Sequence, residues 1–517
     1  LAVTGQTNLV AVNAPTGATT IGAGTIGFLD QNTVLTSFKG GAGADFLDIS
    51  SQTSGSQMAA YTSLDGGGGR DTLLLHPALF NTTTALHNTN FEILGASANL
   101  SGKVDFSKLG TGADTISLFG QAGGDTNIIN GAGTMTLALN GFAGAKDFSV
   151  TAAGSGAADV LNIGATNQTG TGTIGALTAT GYETVTATFS GNAADSVKAI
   201  TATPTAGALL VFNLTDNQTG GALTVSGDTN VGTGTLKIAG TSTGNIVLAG
   251  DVTSGTLDAS GLGTAAAATV AGVTMAGKVL AAINIIGSAG ADAFTGSAAA
   301  DTINGGTGND ILANMANGVG GVGAADVLTG GACNDQFILR GDFASAALPG
   351  LYASATSITD MTVNAGTTAT DFITVSATTA NYKITNASGH ALKAAATVQG
   401  EWTVQSVDNA TAVAMTSNAN ELIKLTTGVS STGLTLQTLF NAAIGTSQVT
   451  SSVADKSYFF TMYDITNSKM VLGIVQDQNG TNTKVESGDI VSLVGTASMS
   501  ATDYANLNAS HFSVVAA

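Results

Sequence analysis

The feature that most narrows what this chain can fold into is a period of nine in the aspartates of residues 287–339. Asp292, Asp301 and Asp310 stand nine residues apart, as do Asp326 and Asp335, and the seven extra residues between Asp310 and Asp326 read as one inserted loop. Each Asp closes a unit of the form G-G-x-G-x-D-x-U-x, with U a large apolar residue; the best-formed copy is Gly305-Gly306-Thr307-Gly308-Asn309-Asp310. The glycines permit a tight turn at positive φ and leave backbone carbonyls uncovered. The Asp supplies a carboxylate, and the apolar residue of the short strand that follows points inward. Stacked coils of this kind form a parallel β-roll or β-helix and set their carboxylates in a row.

The unit also occurs singly in the first third of the chain. Gly40-Gly41-Ala42-Gly43-Ala44-Asp45 and Gly66-Gly67-Gly68-Gly69-Arg70-Asp71 match in full; weaker copies end at Asp114 and Asp159, and a poorer one at Asp125. A second period overlays the first: Asp71 is followed by Glu92 after Phe91, and at a similar distance along the chain Asp159 is followed by Glu183 after Tyr182. This module recurs after roughly ninety residues. Glu92 and Glu183 fit either cation ligation or hydrogen bonding at a strand edge.

The acids are 29 Asp against 5 Glu, with a net charge of −19. Asp favours turns and caps while Glu favours helices, so the skew argues for an all-β chain with its acids in turns. Turn carboxylates suit hard cations, which take about 6–8 oxygen ligands. With Arg70 and Arg340 as its two arginines, the chain offers no basic patch for phosphates, which excludes nucleic acid as a partner. It is 43% hydrophobic and 9% charged, a folded composition rather than a disordered one. The most apolar stretch, Ala271 to Ile286, is interrupted by Lys278 and Asn284, so no membrane-spanning helix is expected. Cys333 stands alone and leaves the redox compartment open. At Leu1 there is neither an initiator Met nor a cleavable leader, which points to a processed chain or one exported without an N-terminal signal.

Four regions follow from these patterns. Residues 1–185 are β-rich with isolated motifs. Residues 186–286 are Thr/Gly-rich, with short apolar strings at Leu223, Leu236, Ile246 and Leu257 that read as strands joined by tight turns. Here Ala265 to Ala282 alone could wind as a helix, against the preference of its β-branched residues. Residues 287–343 hold the array. From about 344 Gly thins, and Trp402, Tyr458, Phe459, Phe460 and six of the 13 lysines appear; residues 344–517 read as a C-terminal β-rich domain for assembly or secretion, with the aromatics in its core.

The nonapeptides around Asp45, Asp71, Asp292, Asp310 and Asp335 resemble those of RTX proteins, which leave Gram-negative bacteria by type I secretion and fold on meeting external calcium. The mix of such motifs with Thr/Ala/Gly-rich β segments and with Phe91-Glu92 and Tyr182-Glu183 is most similar to RTX-type surface-layer proteins, and the ending Phe512-Ser513-Val514-Val515-Ala516-Ala517 resembles the apolar tail of type I substrates. The resemblance implies an elongated, calcium-stiffened β-roll with several ions held at Asp45, Asp71, Asp114, Asp159, Asp292, Asp301, Asp310, Asp326 and Asp335, by turns that include Gly41, Gly43, Gly67, Gly69, Gly290, Gly306, Gly308, Asn309 and Gly331. It implies a structural protein of the bacterial cell surface that assembles with its own copies, with cell-surface polysaccharide reached through a separate anchor. Two departures weaken the pattern: Cys333 and Ala299 stand where the motif has its last glycine.

Other readings are an RTX adhesin or matrix protein, and the secretion and folding module of an enzyme whose catalytic domain precedes Leu1. The chain itself is expected not to be an enzyme. None of His76, His87, His390 and His511 begins an H-E-x-x-H, so a zinc protease is excluded. The G-x-S-x-G at Gly240-Thr241-Ser242-Thr243-Gly244 lacks the strand-to-helix setting of a nucleophile elbow. G-x-G-x-x-G at Gly22 to Gly27 and at Gly170 to Gly175 opens no credible helix. Cys333, without a basic neighbour in sequence, is expected to be buried and inert.

Overall fold

The computed structural model describes residues 17–20, 27–29, 35–59, 61–81, 85–98, 100–118, 124–140, 146–154, 156, 158–167, 172–191, 194–219, 221, 223–263, 272–314, 324–340, 355–363, 371–376, 403–411, 413–414, 421–432, 434–450, 457–476 and 484–515. The protein is nearly all β and forms a parallel β-solenoid. It divides into two compact units, Leu1–Ser254 with Gly261–Thr264, and Gly255–Ser260 with Ala265–Ala517. Among the described residues no helix is long and apolar enough to cross a membrane.

In the first unit the strands Phe46–Asp48, Thr72–Leu75, Ile93–Ala96, Thr115–Leu118, Thr134–Asn140, Val160–Asn167, Thr184–Gly191, Val211–Gln218 and Thr235–Gly240 pair in that order, all parallel. A second parallel sheet, from Gly102–Asp105 through Ser196–Thr203, is threaded between them in sequence. Parallel neighbours need a crossover, and here the crossover is a strand of the other sheet. The coils differ in length: one is as short as the step from Thr72 to its partner Ile93, and another as long as the step from Thr184 to Val211. The longer sequence module seen at Asp71-Glu92 and Asp159-Glu183 is therefore a distant echo of a shorter, uneven coil.

Alternation along each strand sends one aliphatic residue per coil inward at the same height. Leu47, Leu73, Leu94, Ile116, Leu137, Ile163, Ala187, Leu214 and Ile238 are register partners in succession, and all are buried. The outward residues are small and polar and bond along the stack: Ser149 Oγ donates to Asn127 Oδ1 at 3.0 Å and Asn213 Nδ2 to Thr186 Oγ1 at 3.2 Å. The apolar strings near 223, 236, 246 and 257 are strands, as their spacing implies: Thr224–Val225, Thr235–Gly240, Ile246–Leu248 and Thr256–Leu262.

The second unit contains the array. Thr302 pairs with Asn284, two nonapeptides back, and Val327 pairs with Thr302 across a longer step that includes the inserted loop. Two nonapeptides make one coil, and the loop lengthens one coil by its seven extra residues; residues 315–323 of that loop lie outside the described residues. Two inward rows fill this unit: Ile285, Ile303, Leu328 and Ile358, and Phe294, Leu312, Phe337, Ile373 and Phe512. In the stretch Ala265 to Ala282, which alone could have wound as a helix, Val273–Met275 is a strand, as its β-branched residues favour; residues 265–271 lie outside the described residues.

The residues after 344 lie in the same unit as the array. Thr356–Ile358 pairs with Gly495–Ala497, and Ile373–Ser376 with Phe512–Val515, both parallel. Beyond them the architecture changes. Ser457–Asp464, Lys469–Gln476 and Ile490–Ser498 are antiparallel neighbours, and the helix Leu436–Ile444 buries Leu439, Phe440, Ala443 and Ile444 against Phe460, Val471 and Val475. Phe440 and Phe460 meet with ring centroids 4.8 Å apart. Tyr458 and Phe459 lie on the same strand as Phe460, and Trp402 lies outside the described residues.

The pleat predicts unequal responses from adjacent residues. Ile303 is fully buried and Thr302, beside it, faces solvent. Ile303→Ala should destabilise the folded chain by about 2–5 kcal/mol, through lost burial and an unfilled cavity, and Thr302→Ala by no more than about 0.5 kcal/mol. Urea unfolding of the two variants checks this; equal losses would contradict the inward register.

Candidate functional site

The aspartates occupy one structural position, where the Gly turn enters the strand. The Asp310 N–H donates to Asp335 Oδ1 of the next coil at 2.9 Å, and Asp310 Oδ1 accepts the Asp292 N–H of the preceding coil at 2.8 Å. The Asp335 N–H donates to Asp371 Oδ1 at 2.9 Å, which gives a four-member ladder. The main chain explains the position. Gln336 N–H donates to Asp310 O and Phe372 N–H to Asp335 O, so each Asp carbonyl is paired by the residue after the next Asp. That leaves the Asp N–H without a backbone carbonyl in the neighbouring coil, and the neighbouring carboxylate takes it. A buried N–H must find some acceptor.

Asp301 lies in the other ladder of this unit. Its N–H donates to Asp326 Oδ1 at 2.9 Å, and its own Oδ1 accepts Ile283 N–H at 2.8 Å. The expectation that carboxylates nine residues apart stand together is thereby corrected. A nonapeptide is half a coil, so Asp310 stacks on Asp292, two units back, and on Asp335 beyond the inserted loop. In the first unit Asp45 N–H donates to Asp71 Oδ1 at 2.6 Å and Asp71 N–H to Glu92 Oε2 at 2.7 Å. Asp159 N–H donates to Glu183 Oε2 at 2.9 Å. Glu92 and Glu183 thus accept the same hydrogen bond that ladder aspartates accept.

The second carboxylate oxygen divides the turns into two kinds. Where the motif begins Gly-Ser, the oxygen is satisfied: Asp292 Oδ2 accepts Ser288 N–H at 2.6 Å and Ser288 Oγ–H at 3.0 Å, and Asp301 Oδ2 accepts Ser297 N–H. Asp45 Oδ2 accepts Gly41 N–H at 2.7 Å. At Asp71, Asp310 and Asp335 the N–H of Gly67, Gly306 and Gly331 donates instead to Asp65, Asn304 and Asp360, and Oδ2 is buried and has no hydrogen-bond partner among the described residues. These oxygens lie against the first glycine of their own turn. A Cβ on Gly305 would overlap Asp310 Oδ2 and come within 2.7 Å of Gly330 O. Gly67, Gly69, Gly306, Gly308 and Gly331 all adopt positive φ, from 93° to 125°, and Gly308 stacks on Gly290 so closely that a Cβ would lie 2.6 Å from its carbonyl carbon.

Burial acts on these carboxyls as on any charge removed from water. It pushes Asp310 up to about 7, with the charges of Asp292 and Asp335 adding to the effect, and Asp326 to about 7 with help from Asp301. Asp71, Asp292 and Asp335 are raised to about 6, in each case first by burial.

The remaining predicted residues are placed differently. Asp114 accepts both Arg70 guanidinium nitrogens, at 2.8 and 3.0 Å, and this pairing holds its carboxyl below the ordinary range in spite of partial burial. Asp125 Oδ1 accepts Asp147 N–H at 3.1 Å. Asn309 Oδ1 accepts Asn334 N–H at 3.0 Å, and Gly43 lies directly under Gly69 of the next coil. Cys333 takes the glycine conformation at φ 95° and is exposed, which corrects its expected burial: the turn that carries it lies on the outside of the coil. Ser242 is buried and donates to Gly221 O at 3.0 Å, in a turn between two strands. Ladder members the motif did not reveal are Asp195, whose N–H donates to Gln218 Oε1 at 2.8 Å, and Asp371. Their signal is an acid two residues before an inward apolar side chain, as in Asp195-Ser196-Val197 and Asp371-Phe372-Ile373.

Among the described residues no three His, Cys, Asp or Glu side chains converge on one point. Gly305 lies against both Asp310 Oδ2 and Gly330 O, and Gly66 against both Asp71 Oδ2 and Asn90 O; oxygens of this kind are what a hard cation such as calcium takes together with water. No protein-family model matches the chain, and the comparisons with curated proteins and with solved structures return no match.

A sign follows from the raised carboxyls. Between the unfolded value near 4 and the folded values of about 6 to 7, the folded chain holds protons that the unfolded chain has released, so stability falls as pH rises through that window. In chelator-containing buffer the urea midpoint should be higher at about pH 5 than at about pH 7.5, and Asp310→Asn should flatten the slope. A midpoint that rises with pH would contradict the buried ladders.

Proposed function

We propose that this is a calcium-dependent structural protein of the bacterial cell surface, secreted and then folded by the metal, which assembles with copies of itself into a surface layer or a related sheet or filament. The observation that carries the reading is the set of buried, unpartnered oxygens on Asp71, Asp310 and Asp335. A solenoid that stacks carboxylates without a cation to face them holds like charges close together in a medium of low polarity. Calcium supplies the missing charge and a partner for the orphaned oxygen. Asp71, Asp310 and Asp335 would hold it with carbonyls of the neighbouring glycine turns, and Asp301 and Asp326 belong to the same kind of ladder. Metal binding then becomes folding free energy. An affinity of roughly 10⁻⁴–10⁻³ M, usual for extracellular modules, leaves such a chain unfolded in the cytoplasm and folds it outside the cell.

Asp310 and Asp105 separate site geometry from bulk charge. Asp105 caps a short 3-10 helix, accepts Ser107 N–H at 3.2 Å and Asn130 Nδ2 at 2.9 Å, and belongs to no glycine turn. Asp310→Asn should raise the calcium needed for folding by about tenfold or more, as loss of a charged ligand does, while Asp105→Asn should leave it within about twofold. Circular dichroism during calcium titration measures both, with magnesium a poor substitute because it gives up water reluctantly. Equal shifts would mean that bulk charge governs the response. Negative-stain images of the protein with calcium should show a lattice or filaments that chelation disperses; monodisperse particles would remove the assembly reading and favour an adhesin.

A further inference from the structure

The C-terminal part of the second unit holds a buried cation with no acid beside it among the described residues. Lys424, on strand Glu421–Leu425, is 5% exposed. Its Nζ donates to Ala505 O at 2.8 Å and to Leu507 O at 3.0 Å, at the end of the helix Ala501–Asn506, and lies 5.4 Å from the centre of the Tyr504 ring. Among the described residues no carboxylate forms an ion pair with Lys424. Burial, and to a lesser degree the charge of Lys424, pushes the imidazole of His511, also buried, below its ordinary value.

A buried ammonium without a counter-ion is costly. Two of its three N–H bonds are used, and one remains. Lys424 also lines a cavity of about 380 Å³, within the size range of small-molecule sites. Lys424, Tyr463 and Tyr504 are its buried residues, and Ser406, Thr426 and Ile465 are exposed at its opening. Ile465 is 55% exposed, a large apolar side chain beside Gly428, Ala501 and Ala505 in the cavity lining.

We propose that this cavity binds a small carboxylate carried on an apolar body, with the carboxylate on Lys424 Nζ and the body against Tyr463 and Ile465. The charge is set by the unpaired ammonium, and the apolar body by the side chains around it. A phosphate dianion fits less well. It would meet a single donor with one free N–H, beside the carbonyl oxygens of Ala505 and Leu507, where a helix end is electronegative. A carboxylate needs only that one charge-assisted bond. This site goes beyond the structural reading above and uses none of the turn aspartates.

The test uses the full chain with benzoate as probe and benzamide as its neutral isostere, followed by ligand-observed saturation-transfer NMR. Benzoate should bind about tenfold or more tightly than benzamide, and Lys424→Met, which keeps the stem and removes the charge, should abolish that preference. Ala501→Leu, a helix-compatible change that fills the cavity from its wall, should weaken both probes and guards against a Lys424→Met chain that does not fold. Equal binding of benzoate and benzamide, unchanged binding to Lys424→Met or to Ala501→Leu, or no benzoate signal at about 10 mM would overturn the proposal.

Discussion

The coils with the best-formed motifs depend on one hydrogen bond, from an aspartate N–H to the carboxylate of its counterpart one coil further on. It exists because a parallel ladder runs out of carbonyls where the backbone turns from strand into glycine loop. The carboxylate completes the ladder at the point where the main chain cannot. In both units the bond is between 2.6 and 2.9 Å long, as charge-assisted bonds are. Glutamate serves at Glu92 and Glu183 and glutamine at Gln218, so the requirement is an acceptor of suitable reach, not a charge.

Charge is the extra property that aspartate brings, and it destabilises unless it is answered. A carboxylate with one oxygen on an N–H and the other on nothing, inside a coil, either takes a proton or takes a cation. At Asp292 and Asp301 the backbone N–H of the second motif residue, Ser288 or Ser297, donates to the free oxygen, as Gly41 N–H does at Asp45. At Asp71, Asp310 and Asp335 the same N–H, of Gly67, Gly306 and Gly331, goes instead to Asp65, Asn304 and Asp360, and the oxygen is left open. The partner taken by one backbone N–H within the repeat thus separates carboxylates that are satisfied inside the turn from carboxylates left open to a proton or a cation.

The inward rows explain how so few large residues stabilise so many strands. Each coil contributes an aliphatic or aromatic side chain per sheet at a fixed height, and the row is continuous only because strand register is preserved through coils of different length. Length variation is absorbed by turns and loops, as in the coil lengthened between Asp310 and Asp326. In the C-terminal part, antiparallel pairing and the helix Leu436–Ile444 replace these rows with an ordinary packed core.

The period of nine, the glycines and the inward apolar residue sufficed for the fold class, because a repeat that cannot bury its own apolar face has to stack. The strands near 223, 236, 246 and 257 were legible for the same local reason. Three things were not. Asp310 pairs with Asp292 and Asp335 and not with Asp301, because sequence distance does not say how many motifs close one coil; only the three-dimensional stack decides that. The helix Leu436–Ile444, capped by Thr435 and ended by Gly445 at φ 59°, is hidden in a Thr- and Leu-rich stretch whose character emerges from the sheet it covers. The unpaired Lys424 is likewise invisible in sequence, since a lysine reveals the absence of its counter-ion only when the chain has folded around it. Local chemistry determined the repeating unit, and tertiary packing decided which copies meet, because proximity between coils is a property of the closed loop and not of the residues within it.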